Sequence, residues 1–149
     1  MEAYIMSNLS QFFGGNKPPK ALVNYATSGV AGYTAAYGQS TLSGALTAAT
    51  LKEMLNVSGS GVVNYVAAFV ADSTSRTLRV KVIVDGITVA DITSSAITTP
   101  LYGLIAVGAG VASNTTIDHL TFNTSLVVQI ASSLSETDKI TTNIMYHTD

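Results

Sequence analysis

The chain has no cysteine and no tryptophan, and only three prolines and two histidines among its 149 residues. Without cysteine there is no disulfide framework and no thiolate nucleophile, and the redox compartment stays open. Charge is scarce as well. Only 11% of residues are charged, against roughly 25% in ordinary globular domains, and the net charge of −2 argues against the basic face of a nucleic-acid binder. No apolar run approaches the roughly 18 residues of a membrane-spanning helix. The start, with Glu2 and no basic stretch, does not read as a secretory signal. Glycosylation-type triplets at Asn56, Asn114 and Asn123 are then read as chance in a Ser/Thr-rich chain. With a mean hydropathy of +0.37, the surface must be covered by Thr, Ser, Asn and Gly, by partner subunits, or by both.

What is present speaks most clearly from Leu78 to Ile92. Leu78, Val80, Val82 and Val84 alternate with Arg79, Lys81 and Ile83, a period of two that sets aliphatics on one strand face. Asp85-Gly86 follows, and this pair supplies the positive φ angles of a type I′ turn between antiparallel strands. Ile87, Thr88 and Val89 resume the run with β-branched residues suited to a pleated sheet. A hairpin is predicted here.

The preceding half reads differently. From Met1 to Phe13 the rhythm is helical, with Ile5, Leu9 and Phe12 or Phe13 at helical spacing, ended by Gly14-Gly15 and barred from restarting by Pro18-Pro19. So short a helix must pack on its own domain or on a neighbouring subunit. Ala21 to Thr50 carries no charge and is mostly Ala, Gly, Ser and Thr, punctuated by Tyr25, Tyr33 and Tyr37. Small side chains bury little area, so the segment is expected to be an extended arm, with one or two strands at most. Residues 1–50 are thus read as an arm and residues 51–149 as the folded domain.

From Leu51 onward about eight strands follow, with turns every eight to twelve residues. Val62 to Ala71 is apolar on both faces, as in the middle of a sandwich. Pro100 confines its segment to an edge, a strand start or a loop, and Ser133 to Asp138 reads as the last turn. The fold class is all-β, an antiparallel two-sheet sandwich. An eight-stranded jelly roll is expected, with an immunoglobulin-like sandwich as the alternative, and Val80, Val82, Val84, Val89, Val128 and Ile130 are placed in the core.

Chemistry is hard to find. His119 and His147 share no ligand spacing with each other or with cysteine, so no metal site is expected. Asp118 and His119 are strand neighbours facing opposite ways, and His147, near the end, is expected to be exposed. Glu136 and Asp138 read as solvated turn acids beside Lys139 rather than a glycosidase pair, which needs a cleft. There is no G-x-S-x-G elbow, and Gly59-x-Gly61 and Gly108-x-Gly110 lack the helix a phosphate loop requires. Arg76, Arg79 and Lys81 make a basic strip that solvates an outer sheet face or meets acidic neighbours. No catalytic residue, cofactor or metal is expected, and the chain is read as not an enzyme.

Three stretches carry a resemblance. They are G-S-G-V-V-N-Y-V-A-A-F (Gly59 to Phe69), D-S-T-S-R-T-L-R-V-K-V-I-V-D-G (Asp72 to Gly86) and S-L-V-V-Q-I-A-S-S (Ser125 to Ser133). Together with the closing Ile144 to Tyr146 they resemble small β-rich structural proteins of tailed bacteriophages, either decoration or cement proteins of the head or small tail and baseplate proteins. The resemblance spans roughly Leu51 to Tyr146. It implies a virion component, made in the host cytoplasm, that binds the major capsid protein or other virion proteins through buried interface, with a homo-oligomer expected and neither nucleic acid nor membrane as partner. A receptor- or glycan-binding tail module is the alternative, with Tyr102 and Tyr146 as its poor aromatic candidates. Partner binding is assigned to the arm: Tyr4, Ile5, Leu9, Phe12 and Phe13 of the amphipathic segment, and Tyr25, Tyr33 and Tyr37 beyond it. Such an apolar stripe left bare would be unusual on a soluble monomer.

Overall fold

The Asp85-Gly86 turn closes a hairpin, as its chemistry dictates. In a computed structural model, which describes residues 37–108 and 119–148, Asp85 and Gly86 take φ values of 51° and 80°. They join β5 (Leu78–Val84) to β6 (Ile87–Thr93). Along β5 the alternation holds throughout, with Leu78, Val80, Val82 and Val84 buried and the residues between them half-buried. The one departure is Val89. The register passes from Val82 opposite Ala90 to Ile83 opposite Thr88, so Val89 is the extra residue of a β-bulge. Ala90 therefore takes the inward position, 7% exposed, and Val89 only packs against the core from its margin.

The other described strands are β1 (Tyr37–Leu42), β2 (Ala45–Leu46), β3 (Lys52–Ser58), β4 (Gly61–Val70), β7 (Gly103–Val107), β8 (Leu120–Phe122), β9 (Ser125–Ser132), β10 (Glu136–Thr137) and β11 (Ile140–Thr148). There is no helix among the described residues. One sheet has the order β1-β11-β4-β7, with β8 also on β4, and a second has the order β3-β9-β5-β6. All these pairs are antiparallel. Buried side chains from both sheets form one cluster, including Val66, Val70 and Ile144 from the first and Val80, Val82, Val128 and Ile130 from the second. This is a β-sandwich. Strand β4 lies between β11 on one side and β7 and β8 on the other, which accounts for its apolar run: six of its ten positions besides Gly61 are buried.

The strands begin earlier than Leu51. β1 pairs along its whole length with β11, from Tyr37 opposite Tyr146 to Leu42 opposite Thr141, and β2 pairs with β10. The compact unit runs from Tyr37 to Asp149. Residues 37–50, assigned to the arm from their composition, thus carry strands of the folded unit. Backbone hydrogen bonding needs no large side chains, so a strand of Gly, Gln, Ser and Thr leaves no periodic trace. The segment read as the last turn likewise holds β10. The long strands of the two main sheets are eight only when β1 is included and the three-residue β8 is set aside. The helix expected within Met1 to Phe13 lies outside the described residues.

Candidate functional site

Polar side chains concentrate at the two ends of β5. At its beginning stands Arg76, whose side chain is 1% exposed. Its Nη2 donates to Asp72 Oδ1, and its Nε lies 3.1 Å from Glu136 Oε2 in an ion pair without hydrogen-bond geometry. Lys139 Nζ completes the group, 3.4 Å from Asp72 Oδ2. The Thr74 amide, with Arg76 and Lys139, holds the Asp72 carboxyl down at about 2. Glu136, read from sequence as a solvated turn acid, is instead largely enclosed, its side chain 8% exposed. The reason is a partner sixty positions upstream, which local sequence cannot reveal. Asp138, by contrast, is exposed.

The same end binds the segment after β1. Asp138 Oδ1 accepts from the Gly44 amide at 2.9 Å, and Ser135 Oγ accepts from the Ala48 amide at 3.0 Å. Lys52 Nζ donates to the carbonyls of Ser43 and Ala45 at 2.7 and 3.2 Å. The arrangement is a tie between chain segments. Opposite charges here offset one another.

At the far end of β5, Asp85 does a second structural job. Its carboxylate accepts from the amides of Asn123, Thr124 and Ser125 at 3.0, 2.7 and 3.0 Å and from the Thr124 hydroxyl at 3.0 Å. These bonds fasten the β5–β6 turn to the β8–β9 turn. The amide donors, Thr124 first, hold the carboxyl far below its ordinary range. A depressed folded pKa contributes stability that is fully present above the ordinary carboxyl value of about 3.9 and is lost as pH falls toward the folded value. Asp85→Asn, which tolerates the positive φ but removes the charge, is expected to lower Tm at pH 7. The gap from the wild type should narrow below pH 4. Thermal unfolding at pH 7 and at pH 2 checks this, and an equal gap at both would contradict it.

The basic strip is resolved into pairs. Arg79 grips Asp91 with two bonds of 2.7 Å, Arg76 is buried as described, and Lys81 lies between Gln129 and Asp91 in the register. His147, expected at the surface, is 2% exposed, because β11 is an inner strand held between β1 and β4. His119 is exposed, just before β8. Among the described residues no three His, Asp or Glu side chains are placed to hold a metal ion. A shallow depression of about 160 Å³ lies over the outer face of the second sheet, lined by Thr77, Arg79, Thr93 and Ser133 among others, and its one charged group is already engaged by Asp91. Of the residues assigned to partner binding, Tyr37 starts β1. Tyr4, Ile5, Leu9, Phe12, Phe13, Tyr25 and Tyr33 lie outside the described residues.

No protein-family model matches the chain, and no curated protein matches it. A solved structure of the infectious bursal disease virus Gt strain is similar over 76% of this chain, at 14% identity and a TM-score of 0.29. The matched part spans 30% of that protein's chain. A likeness so slight carries no argument about this chain.

Proposed function

We propose that the chain is a non-enzymatic virion structural protein built on a jelly roll, a decoration or cement protein that binds and stabilises the lattice of a major capsid protein. The observation that carries the reading is the strand order. Taken in chain sequence, the eight long strands divide so that the first, eighth, third and sixth form one sheet and the second, seventh, fourth and fifth the other. This interleaving is what results when a long antiparallel hairpin folds over on itself, and jelly rolls of this kind recur in viral capsid and lectin domains. Fold alone does not give function. Support for the virion reading comes from the sequence resemblance and from the low charge, which suits a protein that works by buried interface.

Purified protein should bind capsids that lack it, saturating at a fixed number per capsomer and raising the temperature at which the shells break. Deleting residues 1–36, which leaves β1 in place, should reduce attachment while the domain still folds, because the amphipathic segment supplies the apolar contact. Failure to bind, or binding without saturation, would overturn the proposal. Undiminished attachment of the deleted form would remove the arm from it.

One observation favours the tail or glycan-binding alternative. Leu101 and Tyr102 are 82% and 66% exposed at a turn where Leu101 takes a φ of 66°. Val70 fixes that turn through two backbone bonds of 2.9 Å. Binding to host cells rather than to capsids would favour this second reading.

A further inference from the structure

Five strands end the two main sheets, and natural proteins blunt such edges with charge, proline, bulges or shortness, because a bare edge is a template for another strand. Four of the five carry such devices, β8 by being only three residues long. β3 has Lys52 and Glu53 and a register shift between Glu53 and Leu55. β6 has Asp91 and the bulge at Val89. β7 is five residues long, follows Pro100 closely and shifts register between Val66 and Ala67 of its partner. The fifth, β1, has none: Tyr-Gly-Gln-Ser-Thr-Leu is uncharged, lacks proline and runs without a shift against β11. Among the described residues no strand pairs with its other side.

The surface beside that edge is also uncharged. Alternation places Gly38, Ser40 and Leu42 of β1 on the outer face, beside Met145, Asn143 and Thr141 of β11. Leu42 is 55% and Met145 47% exposed. The second sheet is different, for Glu53, Gln129, Lys81 and Asp91 form one row across its outer face.

We infer that β1 is the interface between two copies of this chain, pairing antiparallel with β1 of the second copy about a two-fold axis. An uncharged strand beside an uncharged face can meet its own copy without the like-charge repulsion that opposes self-pairing. A register centred on Ser40 sets Leu42 of each copy opposite Gly38 of the other. The glycine leaves room for the leucine, and both exposed Leu42 side chains lie over the joint. Such a contact is isologous and closes at two. It needs no capsid and stands apart from the virion reading.

The test is the mass of the full-length protein in solution by analytical ultracentrifugation over a wide concentration series. The wild type should move from 15.4 kDa towards twice that value. In this register Ser40→Lys opposes two lysines across the axis, and Ser40 is exposed, so the variant should keep the wild-type circular dichroism while losing the dimer and the concentration dependence of Tm that a dimer brings. Thr88→Lys, the same change at an exposed position on the β6 edge, should leave the dimer intact. A wild type that stays monomeric, or that assembles beyond two, would overturn the inference. So would a dimer that survives Ser40→Lys or one that Thr88→Lys also dissolves, and pairing with an extended peptide of another protein in place of a second copy would count against it as well.

Discussion

Arg76→Ala is expected to destabilise the folded chain by about 3–5 kcal/mol, the cost of breaking a buried ion pair from one side. The arginine side chain is 1% exposed and that of Glu136 8%, so removing the guanidinium strands a carboxylate away from water. It also frees Asp72 from one of its two cationic neighbours. The effect should reach further than the cluster. Glu136 lies in β10, directly opposite Leu46 of β2, so loosening it loosens the tie on the segment after β1. Urea unfolding gives the size of the loss, and faster amide exchange at Ala45 and Leu46 would show where it acts. A double variant, Arg76→Met with Glu136→Gln, should recover most of the stability because no buried charge remains. A loss below about 1 kcal/mol in Arg76→Ala, the scale of an exposed pair, would contradict the account.

Phe122→Ala should cost a similar amount, about 3–5 kcal/mol, as expected when a fully buried ring is cut back in a packed core. Phe122 is 0% exposed and pairs directly with Gly61 across the β4–β8 ladder. The two residues fit each other: a Cβ on Gly61 would lie 2.5 Å from the Phe122 ring and would also meet the His147 carbonyl. The ring therefore occupies the space the glycine leaves, and neither position can change alone. Denaturant unfolding of Phe122→Ala tests this. A midpoint near that of the wild type would mean that the ring is not part of the core.

The hairpin was readable because everything that specifies it is local. Period-two aliphatics and an Asp-Gly pair determine strand, face and turn within fifteen residues or so, and Val80, Val82, Val84, Val128 and Ile130 are buried accordingly. Val89 shows where alternation stops being sufficient, since one bulge exchanges its place with Ala90. The one or two strands expected in the arm could not be placed from its sequence, because β1 draws its stability from backbone bonds to a strand about a hundred residues away. Glu136 and His147 were misjudged for a related reason. Burial of a polar side chain depends on partners and neighbours that only the fold brings together, such as Arg76 for Glu136 and the flanking strands for His147. Asp85 lay in plain sight as a turn residue, yet its grip on Asn123, Thr124 and Ser125 has no sequence signal at all.

The proposed binding to a capsid is tested most directly by a three-dimensional map of any virus particles assembled from a genome that carries this gene. The account predicts density for the two-sheet domain repeated regularly over the outside of the head, seated on the major capsid protein, and absent from particles in which the gene is deleted. Density confined to the tail, or particles that contain no such domain, would contradict it.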